Sequence, residues 1–196
     1  MSEEKEKKFV SVPAHLVKRV KKVAWDQGES IGSFLEKSLK QNLRTHQLGY
    51  SPQQVAEILE MLHAQKVLGG AFIPLEVLHR LEDMAYQDER EKKALQEAWY
   101  QSGKLHGRYL EEKFGEPIQT LKKFLETTRW DLNEVELERE EGTVKLRCIS
   151  TVLTEQGTQL LSRFIQGVMD SMGYCTEEND CMKGMIISKF KPPQDP

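Results

Sequence analysis

Apolar and polar positions change their period several times along this chain, and each change marks a predicted element. Lys7-Lys8-Phe9-Val10-Ser11-Val12 alternates residue by residue, which predicts a short strand closed by Pro13. The alternation places Lys8, Val10 and Val12 on one face and Lys7, Phe9 and Ser11 on the other. From Leu16 the period lengthens. Leu16, Val17, Val20, Val23 and Ala24 make one apolar helical stripe, with Lys18, Arg19, Lys21 and Lys22 on the opposite side. Gly28 suits a helix stop, and Ser30 suits the N-cap of a second helix. The backbone N–H groups of Ile31, Gly32 and Ser33 are predicted to stand unpaired at that start, while Ile31, Phe34, Leu35 and Leu39 repeat the apolar stripe. One strand and two short helices bury too little surface to stand alone. The simplest completion is a two-fold dimer in which the strands pair into a ribbon and four helices interlock. Such a ribbon fits the DNA major groove.

Further along, His46 to Tyr50 reads as a linker, and Ser51-Pro52 as an N-cap with a first-turn proline. Val55, Ile58, Leu59 and Leu62 mark a helix that Gly69-Gly70 breaks. Pro74 opens another, with Leu75, Leu78 and Leu81 facing inward. His63 and His79 lie in these helices, but the positions four residues on are Val67 and Asp83, so no metal site is predicted. A longer helix runs from Glu91 to Phe114 and carries Ala94, Ala98, Gly103 and Gly107. Glycine inside a helix costs about 1 kcal/mol relative to alanine, so close approach of another helix, or of a bound ligand, is expected there.

The last part turns to alternation again. Val135 and Leu137 point inward between Glu134, Glu136 and Glu138; Glu140-Glu141-Gly142 forms a turn, and Val144, Leu146 and Cys148 return. Residues 156–172 carry a strong apolar stripe through Leu160, Leu161, Phe164, Ile165, Val168 and Met169, stopped at Gly173. A second hairpin is predicted through Tyr174-Cys175 and Met185-Ile186-Ile187, with Asn179-Asp180 in its turn. The fold class is therefore α+β: an N-terminal dimerisation unit followed by an α+β sandwich with an antiparallel sheet.

Charge sharpens this division. Residues 1–44 hold ten Lys or Arg against six Asp or Glu, although the whole chain of 196 residues has a net charge of −3. A basic N-terminal segment on an acidic protein fits a small electrostatic footprint on nucleic acid. No apolar run reaches the ~18 residues of a membrane span, and Met1-Ser2-Glu3-Glu4 does not begin a signal peptide, so a cytoplasmic location is expected. Three cysteines without a CxxC spacing argue against a disulfide scaffold. Cys175 and Cys181 supply two thiols where zinc needs about four ligands, so no metal or other cofactor is expected. There is no phosphate-binding glycine loop, no HExxH and no GxSxG, and no enzymatic activity is expected.

Two resemblances add to this reading. Val10-Ser11-Val12-Pro13, a helix, then Gly28-Glu29-Ser30-Ile31-Gly32-Ser33-Phe34-Leu35 resembles a ribbon-helix-helix domain of the CopG/MetJ/Arc type, over about a fifth of the chain. The resemblance implies that Lys7, Phe9 and Ser11 face bases, that the helix start at Ser30, Ile31 and Gly32 holds a phosphate, and that Lys5 and Lys8 add phosphate contacts. Phe9 departs from the family, which usually places a polar or basic residue there; it either meets a thymine methyl or packs within the protein. The segment from Leu75 to Phe190 resembles the 4-vinyl reductase domain family, related to subunits of the transport-protein-particle vesicle-tethering complexes. It does so in Trp99 to Arg108, at the Trp130 junction and in Phe164-Ile165-Gln166-Gly167-Val168. Family members often end with Cys, Gly and a second Cys; here Cys181-Met182-Lys183-Gly184 has no following cysteine. This second resemblance implies a hydrophobic small-molecule effector in a pocket lined by Trp99, Leu105, Phe164, Val168 and Met169.

The expected organisation is a ribbon-helix-helix domain over 1–46, a helical linker over 47–74 and the second domain over 75–192. The expected function is that of a homodimeric, sequence-specific DNA-binding transcriptional regulator with double-stranded DNA and itself as partners. The alternative is an interaction or scaffold protein related to the vesicle-tethering subunits, with the N-terminal segment used only for dimerisation.

Overall fold

Backbone hydrogen bonding first becomes regular just after Pro13, whose carbonyl accepts from the amides of Leu16 and Val17 at 3.0 and 3.2 Å. The structure is a computed structural model that describes residues 9–140 and 142–192. Helix α1 spans Ala14–Asp26 and α2 spans Ile31–Gln47. The predicted ribbon strand is not seen in the single chain. Lys5, Lys7 and Lys8 lie outside the described residues, and residues 9–13 form no strand. A strand is defined by hydrogen bonds to a neighbour, and one copy of this segment has none to offer itself. Helix α2 also consumes His46 and Gln47, so the predicted linker shrinks to Leu48–Tyr50.

Two units divide the chain, one over residues 1–57 and the other over 58–196. The division falls within α3 (Pro52–Val67), which opens on a reciprocal cap. Ser51 Oγ accepts from the Gln54 amide at 3.2 Å, and Gln54 Oε1 accepts from the Ser51 amide at 2.8 Å.

The second unit continues with α4 (Leu75–Ala85), α5 (Glu89–Lys113) and α6 (Pro117–Thr128). Strands β1 (Glu134–Glu140) and β2 (Thr143–Ile149), α7 (Glu155–Ser171), β3 (Cys175–Met182) and β4 (Met185–Lys191) complete it. The sheet is antiparallel in the order β1-β2-β4-β3, a mixed helix-and-sheet fold of the α+β class. Val135, Val144, Leu146 and Cys148 point into the core with Ile186 and Phe190, against Leu161, Ile165, Val168 and Met169 of α7. The period-two and helical stripes thus meet as expected.

Two local expectations need correction. Asn179 and Asp180 do not turn the second hairpin; they lie within β3, and the reversal falls at Lys183-Gly184. Gly184 has φ +75°, and a side chain there would also strike the Ser150 carbonyl. Asn179 instead has its Oδ1 occupied, accepting from Ser162 at 3.0 Å and Ser188 at 2.7 Å. On α4, Leu75 and Leu78 are half-buried, but Leu81 is 52% exposed, and the residue turned inward beside it is Glu82, only 3% exposed.

Candidate nucleic-acid interface

The N-terminal unit is shaped by its turn. Gly28, at φ +69°, follows α1, and the Glu29 amide reaches back to the Ala24 carbonyl at 3.0 Å, closing the helix end. The chain then restarts at Ser30, whose Oγ accepts from the Ser33 amide at 3.1 Å. This corrects the expectation for the helix start: of Ile31, Gly32 and Ser33, the last already has a partner. Ser33 Oγ donates to Glu29 at 3.1 Å, and Lys37 donates to the same carboxylate at 2.6 Å. That Lys37 hydrogen bond holds the Glu29 carboxyl below its ordinary value. Beyond Gly32 the space is open: a methyl placed on its α-carbon would find Ser30 Oγ nearest, at 4.0 Å. An anion approaching the start of α2 therefore meets the amides of Ile31 and Gly32 and the positive end of the helix dipole.

On α1, Lys18, Arg19, Lys21 and Lys22 are exposed and make no ion pair among the described residues. Phe9 and Ser11 are exposed too. The apolar stripes are covered only in part by the chain itself, at Val20, Ala24, Ile31 and Phe34. Leu16, Val17 and Val23 of α1 and Leu35, Leu39 and Leu43 of α2 are all exposed, Leu39 at 66%. Ala24 is the buried residue of α1, and α2 has none.

In the second unit, α5 and α7 cross on glycines. A side chain on Gly103 would meet the Phe164 carbonyl, one on Gly107 the Val168 carbonyl, and one on Gly167 the Tyr100 carbonyl. His106, between the two α5 glycines, is buried against the Phe124 and Phe164 rings at centroid distances of 5.3 and 5.0 Å. Its Nδ1–H donates to the Ser102 carbonyl at 2.8 Å, and burial pushes the imidazole pKa down, so the ring is held neutral.

Of the residues expected to line a ligand pocket, Trp99 and Phe164 meet edge to face at 6.4 Å. Val168 and Met169 are wholly within the core, and Leu105 is 52% exposed. Trp99, Phe164, Val168 and Met169 thus belong to one core cluster, and Leu105 stands outside it. An open cleft of about 510 Å³ lies elsewhere, lined by Tyr100, Arg163, Gln166, Asp170, Cys175 and Thr176. Its polar groups engage one another: Tyr100 donates to Asp170 at 2.5 Å, Arg163 donates to Gln166 at 2.7 Å, and the guanidinium stands 4.7 Å over the Tyr100 ring.

Sequence reasoning missed a buried polar junction. Glu82 Oε2 accepts from Thr154 at 3.2 Å, and Thr154 caps α7 by accepting from the Gly157 amide at 2.9 Å. Arg129 forks onto Asp131 at 2.9 and 2.5 Å. His79 Nε2 is buried without a partner among the described residues. The available signal was the position of Glu82 itself, seven residues after Leu75 and four after Leu78, on the buried stripe of α4.

Among the described residues no three His, Cys, Asp or Glu side chains gather as a metal ion would require, and no helix is long and apolar enough to cross a membrane. Compared with protein-family models, curated proteins and solved structures, the chain matches none.

Proposed function

We propose that this chain is a homodimeric, sequence-selective DNA-binding regulator whose N-terminal unit is a ribbon-helix-helix domain. The observation that carries the reading is the uncovered apolar face shared by α1 and α2, from Leu16 to Leu43, in a unit whose turn and cap are nevertheless fully formed. A second copy of the same two helices covers that face, and it supplies the neighbour that residues 7–12 need to become a strand. The paired ribbon turns Lys7, Phe9 and Ser11 outward to the major groove. The amides of Ile31 and Gly32, with Lys5 and Lys8, hold flanking phosphates. The exposed lysines of α1 add long-range attraction to the duplex.

The test is selection of duplexes from a random pool by the purified full chain, with its mass followed by analytical ultracentrifugation. The reading expects a dimer that enriches a common sequence over random duplex at moderate salt. Phe9→Ala is expected to weaken that complex while leaving the dimer intact. A dimer without selectivity, or one that Phe9→Ala unfolds, favours a protein that uses this segment for dimerisation alone.

A further inference from the structure

The outward face of α1 carries a side chain that duplex reading does not use. Trp25 is 81% exposed, and Lys18, Lys21 and Lys22 are exposed with it. At 3.6 residues per turn these four fall within an arc of about 100°, with Trp25 between Lys21 and Lys22. Leu16, Val20 and Val23 of the apolar stripe stand about 140° or more round the helix from Trp25. The dimer proposed above covers that stripe and leaves the basic face open to solvent.

The composition of this face identifies a class of ligand. Neither the three lysines nor Arg19 beside them makes an ion pair among the described residues, and the helix holds a single carboxylate, Asp26, on the Arg19 flank. Cations left unpaired on one face attract a polyanion. Trp25 narrows the choice. In a closed duplex each base is covered by its neighbours, and an indole on the outside has no base face to stack on. In a single strand those faces are open, and lysines along the backbone with an aromatic ring under a base hold such a strand without reading its sequence. An anionic membrane needs a broad apolar face beside the lysines, and within this arc Trp25 is the one large apolar side chain. An acidic peptide needs the lysines but not the indole.

We propose that the α1 face of Lys18, Lys21, Lys22 and Trp25 binds single-stranded nucleic acid, the lysines holding its phosphates and the Trp25 indole stacking on a base. The site is distinct from the ribbon and does not depend on the ribbon reading a duplex. Unpaired DNA and RNA share this chemistry and differ by the 2′-hydroxyl.

The experiment titrates the full chain, by fluorescence anisotropy, into labelled oligo-dT, oligo-U and an abasic strand of equal charge, each of about 15 nucleotides. The parent is expected to favour the strands with bases over the abasic one, and the stronger of oligo-dT and oligo-U names the natural strand. Trp25→Ala is expected to weaken binding to both base-carrying strands about tenfold and to erase their advantage, and Trp25→Phe to recover most of it. Lys18→Ala and Lys22→Ala are expected to weaken all three strands and to flatten the salt dependence, which Trp25→Ala leaves unchanged. Trp130→Ala, at a position 74% exposed on the second unit, is expected to change nothing. All these positions are at the surface, so folding is preserved, and unchanged thermal melting checks it. Equal affinity of the parent and Trp25→Ala for oligo-dT and oligo-U overturns the site, as does equal affinity of the parent for the abasic strand. Tighter binding to phosphatidylserine vesicles or to polyglutamate than to any strand also overturns it. The two readings fail separately. A chain that selects no duplex but keeps Trp25-dependent binding of single strands refutes the regulator alone. One that selects a duplex while single strands do not distinguish Trp25→Ala from the parent refutes this site alone.

Discussion

At the scale of single residues, the fold alters the chemistry of the Glu82 carboxyl. Burial raises its pKa above the ordinary 4.5; the Thr154 hydrogen bond and the electrostatic influence of His79 and Arg129 oppose this, and Asp131 adds to it. The folded state therefore holds this proton more tightly than the unfolded one. Its stabilising contribution is complete below the ordinary carboxyl value and is lost as pH rises through the raised one. Glu82→Gln keeps an acceptor for Thr154 and removes the titration. The variant is expected to melt above the parent at pH 8, with the gap closing toward pH 4, measured by calorimetry across that range. The cysteines provide a simpler check on burial. Desolvation pushes the Cys148 thiol up to about 12, whereas Cys175 is exposed. Iodoacetamide at pH 8 is expected to label Cys175 within minutes and leave Cys148 unmodified until the protein unfolds, as read by peptide mass spectrometry.

At the scale of elements, the α5–α7 crossing is the contact on which the second unit depends. A methyl added at Gly103 would lie 2.0 Å from the Phe164 carbonyl oxygen, and one at Gly167 would lie 2.1 Å from that of Tyr100. Both obstacles are backbone, so the helices must separate. Gly103→Ala and Gly167→Ala are each expected to cost about 3 kcal/mol in urea unfolding, despite the higher helix propensity of alanine. Gly115→Ala, where nothing lies within 4 Å, is expected to change stability by less than about 0.5 kcal/mol. The paired glycines announced this crossing in the sequence, because an unfavourable residue repeated on one helix face calls for a compensating contact. The first hairpin was equally readable, since Val135, Leu137, Val144 and Leu146 alternate in a half-buried register. The second was not: Asn179-Asp180 has turn chemistry, yet Asn179 is used to bind Ser162 and Ser188, a contact made by folding across seventeen and nine residues. The junction of Glu82, Thr154, Arg129 and Asp131 was illegible for the same reason, and residues 9–13, read as part of a ribbon strand, form none in the single chain.

At the scale of the whole molecule, the question is which surfaces are built to meet another copy and which are built to avoid one. Both edges of the sheet are acidic: Glu134, Glu136, Glu138 and Glu140 on β1, and Glu177, Glu178 and Asp180 on β3, with a register shift between Thr176 and Glu178. Like charges facing each other and a distorted edge discourage sheet-to-sheet association. Exposed apolar side chains lie along α1, α2 and α4, and also on the sheet and beside it at Met182, Ile187 and Trp130. In the proposed reading, association through α1 and α2 leaves the outward face of an N-terminal ribbon free for DNA. The proposed interface can then be counted. Each copy offers Lys5, Lys8 and one α2 start, so a dimer engages about six phosphates, and log K should fall against log salt with a slope of about −5. Lys8→Ala removes one contact per copy and is expected to reduce that slope by about 2, lowering affinity for selected and random duplexes alike. Phe9→Ala, which touches bases in this reading, is expected to leave the slope unchanged and to lower affinity for the selected duplex only. Fluorescence anisotropy titrations between about 50 and 200 mM salt separate the two variants. If Phe9→Ala changes the slope as Lys8→Ala does, Phe9 positions the ribbon and does not read sequence.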